Sequence, residues 1–125
     1  MFKVLNDKTI CVTRGDIANI VVAAKLQNGE SYTFKPGDVV RFAVFKKKEC
    51  SCVMIQRDVV VESDATSVTI GLTSEDTRLD ELISKPVDYW YEIVLNPDTA
   101  PQTIIGFDEA GEKIFRLYPE GGDGE

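Results

Sequence analysis

The chain has 125 residues and 43% of them are hydrophobic, which is the size and composition of one domain with a packed core. Its 21 acidic and 14 basic residues give a formal net charge of −7, which argues against a nucleic-acid surface built from clustered lysine and arginine. The chain has no histidine, so it lacks the commonest general base and the commonest metal ligand. We therefore expect a protein that is not an enzyme and that needs no metal or cofactor.

The sequence also argues against a membrane partner. No apolar run approaches the roughly 20 residues that a transmembrane helix needs. Residues 1–8 lack the long apolar core and the small-residue cleavage site of a secretory signal. We expect a protein that is made in a cytoplasm and kept there until assembly.

The first half of the chain consists of short alternating runs that predict β-strands. Residues 2–5 and 9–13 flank the turn signal Asn6-Asp7-Lys8 and predict an opening hairpin. Arg14-Gly15-Asp16 then interrupts the apolar pattern, and its glycine can take the left-handed backbone angles of a turn or bulge. Asn-Gly and Pro-Gly-Asp turns separate the further strands, which are expected at residues 17–26, 31–35, 39–45 and 52–61.

The second half predicts four more strands and one helix. Strands are expected at residues 67–72, 87–95, 102–107 and 113–118, with a hairpin loop at 96–101 between the second and the third of them. Thr73 is a helix cap and Lys85-Pro86 a stop, so a short helix is expected at about 74–84. The pattern predicts a mostly β fold: an immunoglobulin-like antiparallel β-sandwich of about eight strands, with this helix crossing between the sheets. Residues 1–119 form the single domain, and residues 120–125 are expected to be a flexible acidic tail.

Three features that suggest chemistry have simpler interpretations. Cys11, Cys50 and Cys52 are too few for a structural zinc site without histidine, and we interpret them as reduced thiols. Arg14-Gly15-Asp16 matches an integrin-binding tripeptide, but its position between two strands predicts a structural turn. The adjacent carboxylates Glu75 and Asp76 point in different directions on a helix, so we assign them to capping rather than to acid–base catalysis.

The aromatic residues Tyr89, Trp90 and Tyr91 lie in the most strand-like segment. By alternation Tyr89 and Tyr91 share one face and Trp90 takes the other, so no platform of three rings exists. At least one face belongs to the core, and the apolar companions of Tyr89 and Tyr91 favour theirs. Trp90 is then the better candidate for an interface, although alternation leaves the choice of face open.

Four segments in this order resemble one family of proteins. They are Thr-Arg-Gly-Asp at residues 13–16, Gly-Asp-x-x-x-Phe-x-Val at 37–44, Leu-Thr-x-Glu-Asp-Thr at 72–77 and Tyr-x-Tyr-x-Ile at 89–93. Together they resemble the N-terminal domain of the phage baseplate upper protein, a family of small tail and baseplate proteins in phages and prophages of Gram-positive bacteria. The resemblance covers roughly residues 4–118.

The resemblance implies a non-enzymatic structural protein of the phage virion, a baseplate or tail component. Its partners would be other virion proteins, with self-association into a homo-oligomer left open and with no nucleic acid or membrane bound. The candidate interface residues are Trp90, Phe45, Tyr118, Lys46, Lys47 and Lys48. Two alternatives remain: a capsid-decorating or head-fibre protein of the same fold, and a carbohydrate-binding β-sandwich module.

Overall fold

A computed structural model describes residues 2–25, 29–46, 49–79, 84–106 and 111–119. For residues 49–52 it describes the backbone only. The strands are β1 (Phe2–Val4), β2 (Ile10–Thr13), β3 (Ala18–Val22), β4 (Val39–Lys46), β5 (Glu49–Val60), β6 (Val68–Leu72), β7 (Val87–Leu95), β8 (Gln102–Ile105) and β9 (Lys113–Tyr118). The fold is therefore mostly β, as the alternating pattern predicts. The described residues contain no helix, and so none that is long and apolar enough to cross a membrane.

The strands form two sheets. The larger sheet has the strand order β1-β2-β9-β7-β4-β5, with β8 also paired to β7, and the smaller sheet consists of β3 and β6. Every pair is antiparallel except β2 with β9, where Ile10 lies opposite Phe115 and both strands run in the same direction. The prediction of an antiparallel sandwich is wrong at this pair, because alternation identifies strands but does not specify which distant strand lies beside them.

One hydrophobic core lies between the two sheets. The strands of both sheets alternate, so that every second side chain points inward, as in β3 and β6, where buried and exposed residues follow each other without exception. The inward side chains of both sheets belong to a single cluster, as expected of a β-sandwich. Its largest fully buried members are Tyr89, Phe34, Phe42, Phe115, Ile10 and Ile70.

The helix predicted at 74–84 is not confirmed. Residues 73–78 form hydrogen-bonded turns instead: the Thr77 amide donates to the Thr73 carbonyl at 3.3 Å, and the Arg78 amide donates to the Glu75 carbonyl at 3.1 Å. Side chains fix this geometry, since the Thr73 amide donates to the Asp76 carboxylate at 2.8 Å and the Asp76 amide to the Thr73 hydroxyl at 3.2 Å. The rest of the predicted helix, residues 80–83, lies outside the described residues, and so does the acidic tail at 120–125.

The strand predicted at residues 31–35 is replaced by two isolated bridges. Ser31 pairs with Lys25, and Phe34 pairs with Ala65. Phe34 itself is fully buried, so this extended segment contributes to the core although it belongs to neither sheet.

Candidate interaction surface

Two of the four resembling segments meet in space. Gly15 of the turn at 13–16 donates its amide hydrogen to the Thr77 hydroxyl at 3.0 Å, and its carbonyl accepts a hydrogen bond from the Ser74 hydroxyl at 2.6 Å. The Thr77 hydroxyl in turn donates to the Asp16 carbonyl at 2.7 Å. Arg14 reaches the carbonyl of Leu79 at 3.2 Å. We call this contact between the two turns the turn junction.

The turn junction explains why these residue types occur there. Gly15 has a φ of 89°, which glycine adopts without strain. Thr77 is fully buried, and its hydroxyl both accepts and donates a hydrogen bond. Arg14, Gly15 and Asp16 are all half-buried and hydrogen-bonded within the domain. The tripeptide therefore has a structural role in this fold, as the sequence predicts.

Asp76 connects the turn junction to the edge of the larger sheet. Its carboxylate binds the guanidinium of Arg57 on β5 through two hydrogen bonds. Burial opposes its ionised form, but the hydrogen bonds from Thr73 and Arg57 outweigh that effect and hold the pKa of Asp76 below its usual value. This acidic side chain is thus used for structure.

The Gly-Asp segment before β4 is fixed by its aspartate. The Asp38 carboxylate accepts hydrogen bonds from the Lys35 amide at 2.9 Å, the Tyr32 hydroxyl at 2.7 Å and the Asn96 side-chain amide at 3.2 Å. These donors, the Lys35 amide above all, lower the pKa of Asp38 against the effect of burial. Gly37 supplies the positive φ of 94° that the turn requires. The segment therefore orients β4 relative to the loop at 96–101.

A row of apolar side chains crosses the outer face of the larger sheet. Phe45 on β4 lies opposite Trp90 on β7, Trp90 lies opposite Ile114 on β9, and Phe45 also lies opposite Val53 on β5. Residues directly opposite each other share a face. Phe45, Trp90 and Ile114 are half-buried and Val53 is 46% exposed. We call these four residues the outer row.

Ion pairs flank the outer row on both sides. On one side Arg116 and Asp88 form a two-bond ion pair, with a shortest distance of 2.7 Å. On the other side Arg41 binds Asp58 at 2.8 Å and reaches Asp98 at 3.2 Å. The hydrogen bond to Arg41 lowers the pKa of Asp58, so both charges of that pair persist far below neutral pH. Protein–protein contact surfaces commonly have an apolar centre and a polar rim, which makes this face a candidate interaction surface.

The structure brings some of the predicted interface residues together. Trp90 and Phe45 are direct neighbours in the outer row. Tyr118 lies further along β9, half-buried opposite Thr13, and its carbonyl accepts the Arg14 amide at 3.0 Å beside the turn junction. Lys46 is exposed at the end of β4. Lys47 and Lys48 lie outside the described residues.

The two faces of β7 differ in burial. Tyr89 and Tyr91 are only 1% and 4% exposed and face the core, whereas Trp90 lies on the outer face. Burial raises the pKa of the Tyr91 phenol, whose hydroxyl donates to the carbonyl of Lys8. Alternation along the strand predicts that the two tyrosines share one face and Trp90 takes the other. The apolar residues on the same face as the tyrosines indicate that this face is the inner one.

Two members of the outer row, Ile114 and Val53, are not among the interface residues predicted from the sequence. The residues before and after Ile114 are both buried, so the alternation along residues 113–118 indicates that Ile114 lies on the outer face. Strict alternation would place Val53 on the same inner face as the buried Ile55. A register shift between Val44 and Phe45 places Val53 opposite Phe45 instead, because Met54 is the extra residue of a bulge. No periodic pattern reveals such a shift.

Chemistry gives no further indication of function. Within the described residues no group of three or more acidic or cysteine side chains is arranged to hold a metal ion. Cys11 is buried and free, and the side chains of Cys50 and Cys52 lie outside those described. Compared with family models, with curated proteins and with solved structures, the chain has no match.

Proposed function

We propose that this chain is an immunoglobulin-like β-sandwich that acts as a structural protein of a phage virion, in the baseplate or tail. It would act by binding other virion proteins through the outer face of its larger sheet. The observation that carries this proposal is the outer row, whose four apolar side chains cross four neighbouring strands between two sets of ion pairs.

Strand order supports the immunoglobulin-like part of the proposal. In that fold strands B and E lie in one sheet and strands C, F and G in the other, and variable-type domains add C′ to the second sheet. Here β3 and β6 correspond to B and E, and β4, β7 and β9 correspond to C, F and G. The strand β5, which forms a hairpin with β4, corresponds to C′.

The turn junction supports the phage part of the proposal. The resemblance depends on the order of four short segments, each of which is weak alone. Two of them are joined by hydrogen bonds around Thr77, and a third is fixed by Asp38. The first and third segments therefore depend on each other in this scaffold, which supports treating their order as one pattern.

The area buried in typical protein–protein interfaces indicates how large the proposed contact surface must be. A stable protein–protein contact buries about 800 Å² on each partner. Four partly exposed side chains supply only part of that area, so the contact would also include the flanking ion pairs and Tyr118. Symmetric assembly repeats one such contact many times, which makes a modest surface sufficient for a virion protein.

The outer row does not favour a carbohydrate-binding module. Sugar rings stack on exposed aromatic faces that have polar neighbours. Trp90 and Phe45 are half-buried, and the other members of their row are the aliphatic residues Val53 and Ile114.

Two experiments test the proposal. The first is the identity of the neighbouring genes: genes for tape-measure, tail-fibre or lysis proteins favour the baseplate, capsid genes favour a decorating or head-fibre protein, and a region without phage genes contradicts both. The second is copurification of the chain with the products of the neighbouring tail genes. Val53→Asp should abolish copurification, whereas Val21→Asp should leave it intact, because Val21 is 67% exposed on the smaller sheet. Equal copurification of both variants would contradict the proposal.

A further inference from the structure

A groove opens at the end of the sandwich away from the turn junction. It has a volume of about 940 Å³, within the range of sites that bind ligands in proteins. Its apolar lining includes Ala24, Leu95, Ile104 and Ile105, and its two cationic residues are Lys8 and Lys25.

The topology leaves one edge of β8 available beside this groove. Ile93 and Leu95 of β7 pair with β4 on one edge and with β8 on the other. Tyr91 pairs with β4 on the first edge and with β9 on the second. Both β8 and β9 therefore lie along the same edge of β7. β2 covers the far edge of β9, starting at Ile10. Among the described residues, no strand covers the far edge of β8.

The opening turn of the chain explains this gap. Since β2 is parallel to β9, a straight continuation of β2 toward the N terminus would lie along β8. The chain instead turns back: the Leu5 amide donates to the Thr9 carbonyl at 2.8 Å and the Lys8 amide to the Leu5 carbonyl at 3.0 Å. Lys8 takes a φ of 75° in this turn, and the preceding residues pair with the other edge of β2 as β1. The groove lies where the missing strand would be.

The charge and apolarity of the groove indicate what fits there. Lys8 and Lys25 are both exposed, and together they place two positive charges at a groove in a chain whose net charge is −7. The apolar lining suits aliphatic side chains, and an uncovered strand edge offers backbone hydrogen bonds to an added strand. A strand presents its side chains alternately to two sides.

We propose that this groove binds an extended segment of a partner protein in which apolar and acidic residues alternate, added as a strand along β8. The site is separate from the outer row, so it goes beyond the contact proposed above, and the two can fail independently. An exposed strand edge is a template for pairing with another chain, and a bound partner strand would occupy it.

The test uses the whole chain and three synthetic peptides. Each is an acetylated octapeptide that alternates valine with glutamate, with lysine or with serine. Binding is measured by calorimetry, and the site is mapped by amide chemical shifts in NMR. We expect the glutamate peptide to bind most tightly, with shift changes concentrated at Gln102–Ile105 and around Lys25.

Charge reversal provides the matched comparison. The double variant Lys8→Glu, Lys25→Glu should weaken binding of the glutamate peptide by about tenfold or more and should strengthen binding of the lysine peptide. The control Lys3→Glu, Lys85→Glu reverses two exposed charges that do not line the groove and should change either affinity by less than about twofold. Lys25→Glu alone serves if the double variant does not fold, and should give an intermediate loss.

Three results would overturn the proposal. One is no binding of the glutamate peptide at millimolar concentration, and another is equal loss of binding in the groove and control variants. The third is a dimer of the unmodified chain in light scattering that Lys8→Glu, Lys25→Glu dissociates. That result would assign the groove to a second copy of the chain.

Discussion

Replacing Thr77 by valine tests the turn junction directly. The variant keeps the shape of the side chain and removes the hydroxyl that accepts from the Gly15 amide at 3.0 Å and donates to the Asp16 carbonyl at 2.7 Å. An unsatisfied buried donor or acceptor costs about 1–3 kcal/mol. Because Gly15 and Asp16 are half-buried, water can reach part of this site, and we expect a total loss of about 2 kcal/mol.

This loss should be large enough to measure in a thermal melt. Unfolding entropy is about 2.1 cal/mol/K per residue, so a chain of 125 residues should lose roughly 8 °C in Tm for about 2 kcal/mol. Circular dichroism during heating, with urea unfolding as a second measure, gives the result. Thr69→Val is the control, because Thr69 is exposed on β6 and its replacement should change stability by less than about 0.5 kcal/mol.

Thr77→Ser separates the hydroxyl from the packing of the methyl group. Serine keeps the hydroxyl and loses one buried methyl, which costs about 1 kcal/mol. We therefore expect the stability order wild type, Thr77→Ser, Thr77→Val. Our account of the junction would be refuted if Thr77→Val were as stable as Thr69→Val, or if serine were no better than valine.

Three further predictions concern other fixed points of the fold. Asp38→Asn should cost about 1–2 kcal/mol at neutral pH, because the carboxylate accepts three hydrogen bonds. Since folding lowers the pKa of Asp38, its contribution is present above the unfolded pKa of about 3.9 and is lost as pH falls through the folded value, so urea midpoints of the variant should depend less on pH below about 4. Gly37→Ala should lower the free energy of unfolding by about 1–2 kcal/mol through the φ of 94° alone, since nothing lies within 4 Å of the added Cβ. Gly71→Ala is the control, and an equal Tm of the two variants would contradict this prediction. Arg116→Met should cost less than about 1 kcal/mol in urea unfolding, because its ion pair with Asp88 is partly exposed; a larger loss would make that pair part of the scaffold.

The sequence predicted strands well where one face is buried and the other is not. The strands expected at 87–95 and 113–118 match β7 and β9 to the residue. Most of β7 and all of β9 alternate between buried and half-buried residues, so their pattern has the period of a strand, and Pro86 and Pro119 mark the start of β7 and the end of β9. The inward position of Tyr89 and Tyr91 was predictable for the same reason.

Long-range pairing was not predictable from local pattern. The residues of β2 and β9 do not indicate that these two strands pair in parallel. The residues around Phe45 and Trp90 likewise do not indicate that the two side chains lie opposite each other, because register depends on the whole fold. The turn at 73–78 carries the composition of a helix cap, but its side chains bind the turn at 13–16 and each other rather than starting a helix within the described residues. Tertiary contacts overrode local propensity there.

We propose that the outer face of the larger sheet is a protein–protein contact, and Trp90 reports on this contact directly. It is the only tryptophan in the chain, so 5-fluorotryptophan places a single fluorine in the outer row. We would record ¹⁹F NMR spectra of the labelled chain alone and with the copurified products of the neighbouring tail genes. The resonance should shift on complex formation and lose its response to a soluble paramagnetic quencher. A complex that forms while the fluorine signal and its quenching stay unchanged would contradict the claim.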